Sequence, residues 1–291
     1  MTALDYDAIA EKLLKDIPPW NGTPFYALAA GGPASNKETL SALLNVQGQK
    51  GYITLSDDTV MEFLPKSDFR YPHFEKNADH IKEYYGLIEH IITAAAQKHI
   101  SVIFEDHGDY PSEYKKHVAA VGKHGYESFL FLTTVSPANF TRRIDALMQQ
   151  IDLPDFREWG RGYHVRVGQH VDTLTTIFDR GMIVEAEPPD ISPDKKLHAF
   201  GVMRFDNTSP TPHIEVLDEQ RYRTFQSWPQ QHCISEDLQH VFRSADAVME
   251  AADAPGRFAA SVGRRTAQGD RKAPQKTILD DVAKGIEFGR G

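Results

Sequence analysis

Apolar positions along the chain alternate between two textures. Short β-rich runs fall at Phe25–Ala30, residues 51–55, 101–104 and 128–132, and again at 199–205 and 213–217. Between them, apolar residues recur at helical spacing. Ile81, Tyr84, Tyr85, Leu87, Ile88, Ile91 and Ile92 mark one face of a long helix over residues 77–98. Further helices are expected over residues 37–45, from Pro111 onward, and over 136–150, 169–180 and 235–252. Strands separated by helices predict an α/β fold: a parallel sheet with crossover helices on both faces. After residue 218 this alternation stops. A C-terminal helical extension with a basic tail is expected; from 256 to 277 the tail has Arg257, Arg264, Arg265, Arg271, Lys272 and Lys276 against the single acid Asp270.

Composition narrows the function classes. With 32 Lys and Arg against 41 Asp and Glu, the net charge of −9 disfavours a general nucleic-acid binder, because a phosphate backbone selects basic surfaces. No run approaches the ~20 apolar residues a membrane-spanning helix needs. The start, MTALDYDAIAEKLLKDI, has the acids and spacing of an amphipathic helix and lacks the basic start and apolar core of a signal peptide. A single cysteine, Cys233, allows no internal disulfide and fits a reducing compartment, so a cytoplasmic protein is expected.

The strongest chemical signal is ALAAGGPASNKETL, residues 27–40. A strand, a glycine turn and a helix start aim backbone N–H groups and the positive helix end at one point, which suits phosphate oxygens. Gly31, Gly32, Pro33, Ala34, Ser35, Asn36, Lys37, Glu38 and Thr39 are the nucleotide-binding candidates. Gly31 and Lys37 have the spacing of the phosphate-loop pattern G-x-x-x-x-G-K-[ST], but Asn36 and Glu38 depart from it. Asn36 replaces a glycine at small cost, since Asn tolerates positive φ better than most residues. Glu38 stands where a hydroxyl normally faces Mg²⁺; it offers a hard oxygen to the metal or repels the phosphates.

Asp57 and Asp58 follow the second strand, where a carboxylate can take the proton of an attacking hydroxyl. Helix capping by Ser56 or Asp57 is the alternative use of this segment, and both readings can hold. Glu105, Asp106 and His107 close the third strand and offer either substrate contact or a solvated turn. Arg142, Arg143, Arg161 and Arg166 form a later basic set of the kind that neutralises charge on a transferred phosphoryl group.

These stretches together resemble the zeta toxin family, P-loop kinases of toxin–antitoxin systems. AAGGPASNKETL is similar to the family's phosphate loop, and YITLSDDTVMEFLP to its second strand and acidic segment, with Asp58 on the position of the catalytic base. SVIFEDHG resembles the strand and substrate-binding turn, which places Glu105 and His107 near the acceptor. VSPANFTRRIDAL and YHVRVGQHVDTL are similar to the arginine segments, with Arg142 or Arg143 and then Arg166 as candidates. AFGVMRFDNTSPTPHIEV resembles the closing hairpin. The resemblance spans residues 25–217 and implies a P-loop NTPase-like kinase domain there, after an N-terminal helix in residues 1–24 and before the extension of residues 218–291. It further implies Mg²⁺-dependent transfer from ATP or GTP to a small-molecule acceptor such as a nucleotide sugar, and an antitoxin protein as partner. A catalytically silent nucleotide-binding or partner-binding module on the same fold is the competing expectation.

Overall fold

All six residues of β1 (Phe25–Ala30) are buried, the mark of a strand at the centre of a sheet covered on both sides. The computed structural model describes residues 4–37, 50–64, 78–148, 156–187, 198–231 and 234–252. Glu38, Thr39, Cys233, the basic run of residues 256–277 and the rest of the helix expected over residues 37–45 lie outside the described residues.

A seven-stranded sheet has the order β2-β3-β1-β4-β5-β6-β7. The strands are β2 (Tyr52–Leu55), β3 (Ser101–Asp106), β4 (Glu127–Thr134), β5 (Arg180–Glu187), β6 (His198–Asp206) and β7 (His213–Val216). β2, β3, β1, β4 and β5 run parallel, whereas β6 and β7 turn back antiparallel. The fold is therefore α/β and P-loop NTPase-like as expected, with an antiparallel hairpin closing one edge. Strand alternation divides β1 cleanly: Tyr26, Leu28 and Ala30 join the main core, and Phe25, Ala27 and Ala29 join a second cluster with Ile103, Phe129 and Phe131.

Helices α1 (Tyr6–Leu14), α2 (Asp57–Met61), α3 (Ala78–Gln97) and α4 (Pro111–Gly122) supply the main core with Ala10, Leu14, Val60, Ile88, Ile91 and Tyr114, among others. Asp5 caps α1 by accepting from the Ala8 amide, Ser56 caps α2 by accepting from the Thr59 amide, and Pro111 opens α4 where its missing N–H costs nothing. The second cluster takes no residue from these helices.

Three elements differ from the sequence expectation. α5 (Pro137–Met148) is followed by α6 (Phe156–Ile177), which starts 13 residues before the helix expected at 169. β5 occupies residues that were expected to be helical at their start and were otherwise unassigned. Within the extension, α7 (Glu219–Gln231) precedes the expected helix α8 (Glu236–Ala252). Phe225 of α7 and Ala245 of α8 belong to the main core, so this part of the extension is packed on the sheet domain. Among the described residues no helix is long and apolar enough to cross a membrane.

Candidate functional site

Pairing of Ala30 with Asp106 and with Leu132 brings the C-terminal ends of β3, β1 and β4 level. The glycine loop leaves from this edge, the crevice where open α/β sheets hold their ligands. Its first amide, from Gly31, donates to the Asp106 carbonyl at 3.2 Å. A Cβ on Gly31 would stand 2.2 Å from Thr133 Oγ1 and 2.3 Å from Ser35 Oγ, so only glycine fits. Thr133 Oγ1 donates to the Ala30 carbonyl at 3.1 Å and lies 2.9 Å from the buried Ser35 hydroxyl, which staples the loop to β4. The Ser35 amide closes a turn onto the Gly32 carbonyl at 3.0 Å.

Two non-glycine residues of the loop take the left-handed region, Ala34 at φ 66° and Asn36 at φ 67°. Asn36 thus adopts the conformation that its glycine-like place demands. Side chains of later helices hold the loop's outer carbonyls. His164 Nε2 donates to Pro33 O at 2.8 Å, and Arg143 donates to Ala34 O and, at 3.4 Å, to Asn36 Oδ1. Arg143 is therefore placed at the loop, bound to its backbone.

Lys37 begins the helix after the loop, and its charge reaches both Asp106 and His107. Asp106 is buried at the end of β3. Its Oδ2 accepts from Tyr85 at 2.9 Å and Tyr114 at 2.8 Å, and its Oδ1 from the His107 amide at 2.7 Å. Burial and the Asp57 charge push the Asp106 carboxyl up to about 6, against the opposing pull of Lys37. His107 stacks on Tyr163 with ring centroids 4.1 Å apart. Burial, Lys37 and His164 hold its imidazole well below the ordinary histidine range, so it is neutral near pH 7.

Asp57 accepts a 2.6 Å hydrogen bond from Tyr84, while Asp58 next to it is exposed. Ser56 caps α2 and leaves both carboxylates to other uses. Glu105 lies one residue before Asp106 on β3, so its side chain faces the opposite side of the sheet. The groups gathered beside the loop are Lys37, Asp57, Asp106 and His107. Asp106 was legible as part of an acidic turn; that it, and not Glu105, faces Lys37 follows from the strand register.

Arg166 is placed differently from the expectation. It is buried in α6, donating to Asp246 of α8 at 2.7 and 3.0 Å and to the Asp109 carbonyl at 3.0 Å, with the Asp109 carboxylate 3.4 Å away. Tyr110 and Phe242 flank its guanidinium at 5.2 and 4.6 Å. These partners tie the extension to the turn after β3. Arg166→Leu leaves buried Asp109 without its cation, which costs about 3–5 kcal/mol. We expect a lowered urea midpoint for this variant, with Arg166→Lys recovering only part because it lacks the planar fork.

Asp106 makes a second prediction. The folded state holds the Asp106 proton more tightly than the unfolded chain, so folding takes up a proton between the two pKa values. The Asp106 contribution is most favourable below the ordinary carboxylate pKa and is lost as pH rises through about 6. Relative to Asp106→Asn, the wild type should lose on the order of 3 kcal/mol across that window. Urea unfolding of both proteins at pH 4 and pH 7.5 measures this, and a gap independent of pH would contradict it.

Comparison with known families fits this geometry. Residues 10–146 match the zeta toxin family. The zeta toxin segment holds the loop, Lys37, Asp57, Asp58, Asp106, His107 and Arg143, and ends before His164 and Arg166. Among solved structures, one from the PezAT chromosomal toxin–antitoxin system of Streptococcus pneumoniae aligns at TM-score 0.49 and 16% identity, over 86% of this chain and 96% of that one. A chain of the AvrRxo1-ORF1:AvrRxo1-ORF2 complex with sulphate ions aligns at TM-score 0.49 and 12% identity, over 85% and 82% of the two chains. The AvrRxo1-ORF1:-ORF2 structure with ATP gives TM-score 0.47 and 11% identity, over 98% and 85%. No curated protein matches the chain in sequence.

Proposed function

We propose that the chain is a zeta-toxin-like phosphotransferase that moves the γ-phosphate of ATP or GTP to a hydroxyl of a small acceptor such as a nucleotide sugar. The carrying observation is the convergence of a stapled glycine loop, Lys37 and the Asp57–Asp106 pair at one sheet edge. In this reading the loop amides and Lys37 hold the phosphates, and Asp58, whose carboxylate is exposed, takes the acceptor hydroxyl proton. The hydroxyl oxygen bonds to the γ-phosphorus as the bond to the bridging oxygen breaks, leaving the nucleoside diphosphate. Neutral His107, stacked on Tyr163, offers a face and a ring nitrogen to the acceptor.

The family implies Mg²⁺, which when bound neutralises charge on the phosphate oxygens. Ligand atoms of Asp106, His107 and Asp109 lie within 4.8 Å of one another. Arg166 already faces Asp109, so of this group the Asp106 carboxylate is the hard ligand that would hold Mg²⁺. Glu38, the ligand expected from the sequence, lies outside the described residues.

The second reading, a silent nucleotide-binding or partner-binding module, is favoured by the arginines: Arg143 is bound to the loop backbone and Arg166 to Asp246. An antitoxin that covers the loop suits both readings. A labelled-phosphate screen with MgATP and MgGTP against nucleotide sugars, nucleosides and dinucleotides tests the first reading. Transfer to one acceptor class supports it; nucleotide binding without transfer to any of them selects the second.

A further inference from the structure

The phosphate loop contains an alanine in a conformation that costs an L-residue roughly 1–2 kcal/mol, and neighbouring groups must enforce it. Both peptide carbonyls that flank Ala34 are held from outside. His164 of α6 grips the one before it, Pro33 O, at 2.8 Å, and Arg143 of α5 grips the one after it, Ala34 O. A peptide unit is planar and trans, so fixing Pro33 C=O toward α6 turns the Ala34 N–H to the opposite side. His164 is also packed against the loop itself: a Cβ on Gly32 would lie 3.0 Å from its ring.

Part of what holds His164 comes from beyond the zeta toxin match. The Trp228 indole of α7 stacks on the imidazole, with centroids 4.9 Å apart and planes 19° from parallel. Phe140 packs edge-on against both rings at 5.0 and 5.4 Å. Trp228 is 1% exposed, and its Nε1–H donates to Val135 O at 2.9 Å, which locks the indole to the end of β4. The approach of α7 depends on Gly168, where a Cβ would meet Pro229 at 2.9 Å. A carbonyl only accepts, so Nε2 of His164 carries the proton whatever the state of Nδ1.

We propose that His164, seated on Trp228, is a positioning residue for the phosphate loop, and that the helical extension thereby sets the conformation of the nucleotide site. The effect on nucleotide rests on the phosphotransferase or nucleotide-binding reading above; the effect on the loop does not. His164 acts through the Pro33 carbonyl. His164→Phe keeps a ring on the indole and removes the donor, whereas His164→Gln keeps a donor. Trp228→Phe keeps an aromatic support and removes the bond to Val135.

The test uses the full chain with two readouts: amide hydrogen exchange of the peptide over residues 31–37 without ligand, and affinity for MgATP and MgGTP. We expect His164→Phe to speed loop exchange about tenfold and weaken nucleotide about tenfold, the equivalent of one buried hydrogen bond. Peptides of β1 and α3 should stay at wild-type rates, and His164→Gln should restore much of both effects. Trp228→Phe should shift the loop in the same direction by less. Unchanged loop exchange in His164→Phe, or faster exchange throughout the molecule, overturns the proposal. Wild-type protein that binds neither nucleotide overturns the nucleotide reading instead, and the exchange comparison still decides the role of His164.

Discussion

Replacing Lys37 with Met should lower phosphate transfer roughly 10²–10³-fold, as loss of a charge-stabilising donor does at other transfer sites. The same change should weaken MgATP or MgGTP binding. Lys37 is the cation beside a buried carboxyl, and its field also lowers the His107 pKa. Removing it has a signature that a folding defect does not imitate. The Asp106 carboxyl should move further up from about 6, and the His107 imidazole should move back toward the ordinary range. Titration of the histidine ring protons by NMR in Lys37→Met reads the second shift directly. Wild-type transfer, or an unmoved His107, would remove Lys37 from the site.

The zeta toxin segment was the most legible part of the chain, because its signals are local. Six consecutive buried residues in β1, a glycine turn and a lysine at fixed spacing need no knowledge of distant partners. α6 was not legible over its first half for the opposite reason. Gly160, Gly162 and Gly168 depress its helix propensity, yet each lets another element approach: Gly160 faces Phe140, Gly162 faces Phe242 and Gly168 faces Pro229. β5 hides in the same way. Its apolar run is short, it opens with Arg180, and its buried Glu185 is satisfied by Arg221 from α7 and by the Ser136 backbone. α7 itself carries Pro229 in its interior, and the side chains that seat it include Phe225 and Trp228.

The candidate site divides along the same line. Lys37 and the loop were legible from spacing, and Asp58 was a candidate through the resemblance. Glu105 and Asp106 were adjacent letters, and only strand alternation separates the one that meets Tyr85, Tyr114 and the field of Lys37 from the one on the other face. Arg166 reads like a phosphate ligand until α8 delivers Asp246 to it. His164 lacked any local signal, since its function depends on a tryptophan 64 residues further along the chain.

Asp58→Asn should cut transfer about 10²–10⁴-fold while leaving nucleotide affinity near that of the wild type, the pattern of a lost general base. Asp57→Asn should behave differently, although the two carboxylates are neighbours at the start of α2. Asp57 is engaged by Tyr84 at 2.6 Å and raises the Asp106 pKa, so its loss should loosen α2 from α3 and lower the pH at which Asp106 ionises. Asp58 is exposed and able to meet a substrate hydroxyl. Comparing kcat, KM and pH profiles of the two variants separates a proton acceptor from a carboxylate that tunes its surroundings. If Asp57→Asn suffers the large loss in kcat and Asp58→Asn does not, the base is Asp57, and Tyr84 becomes the group that orients it.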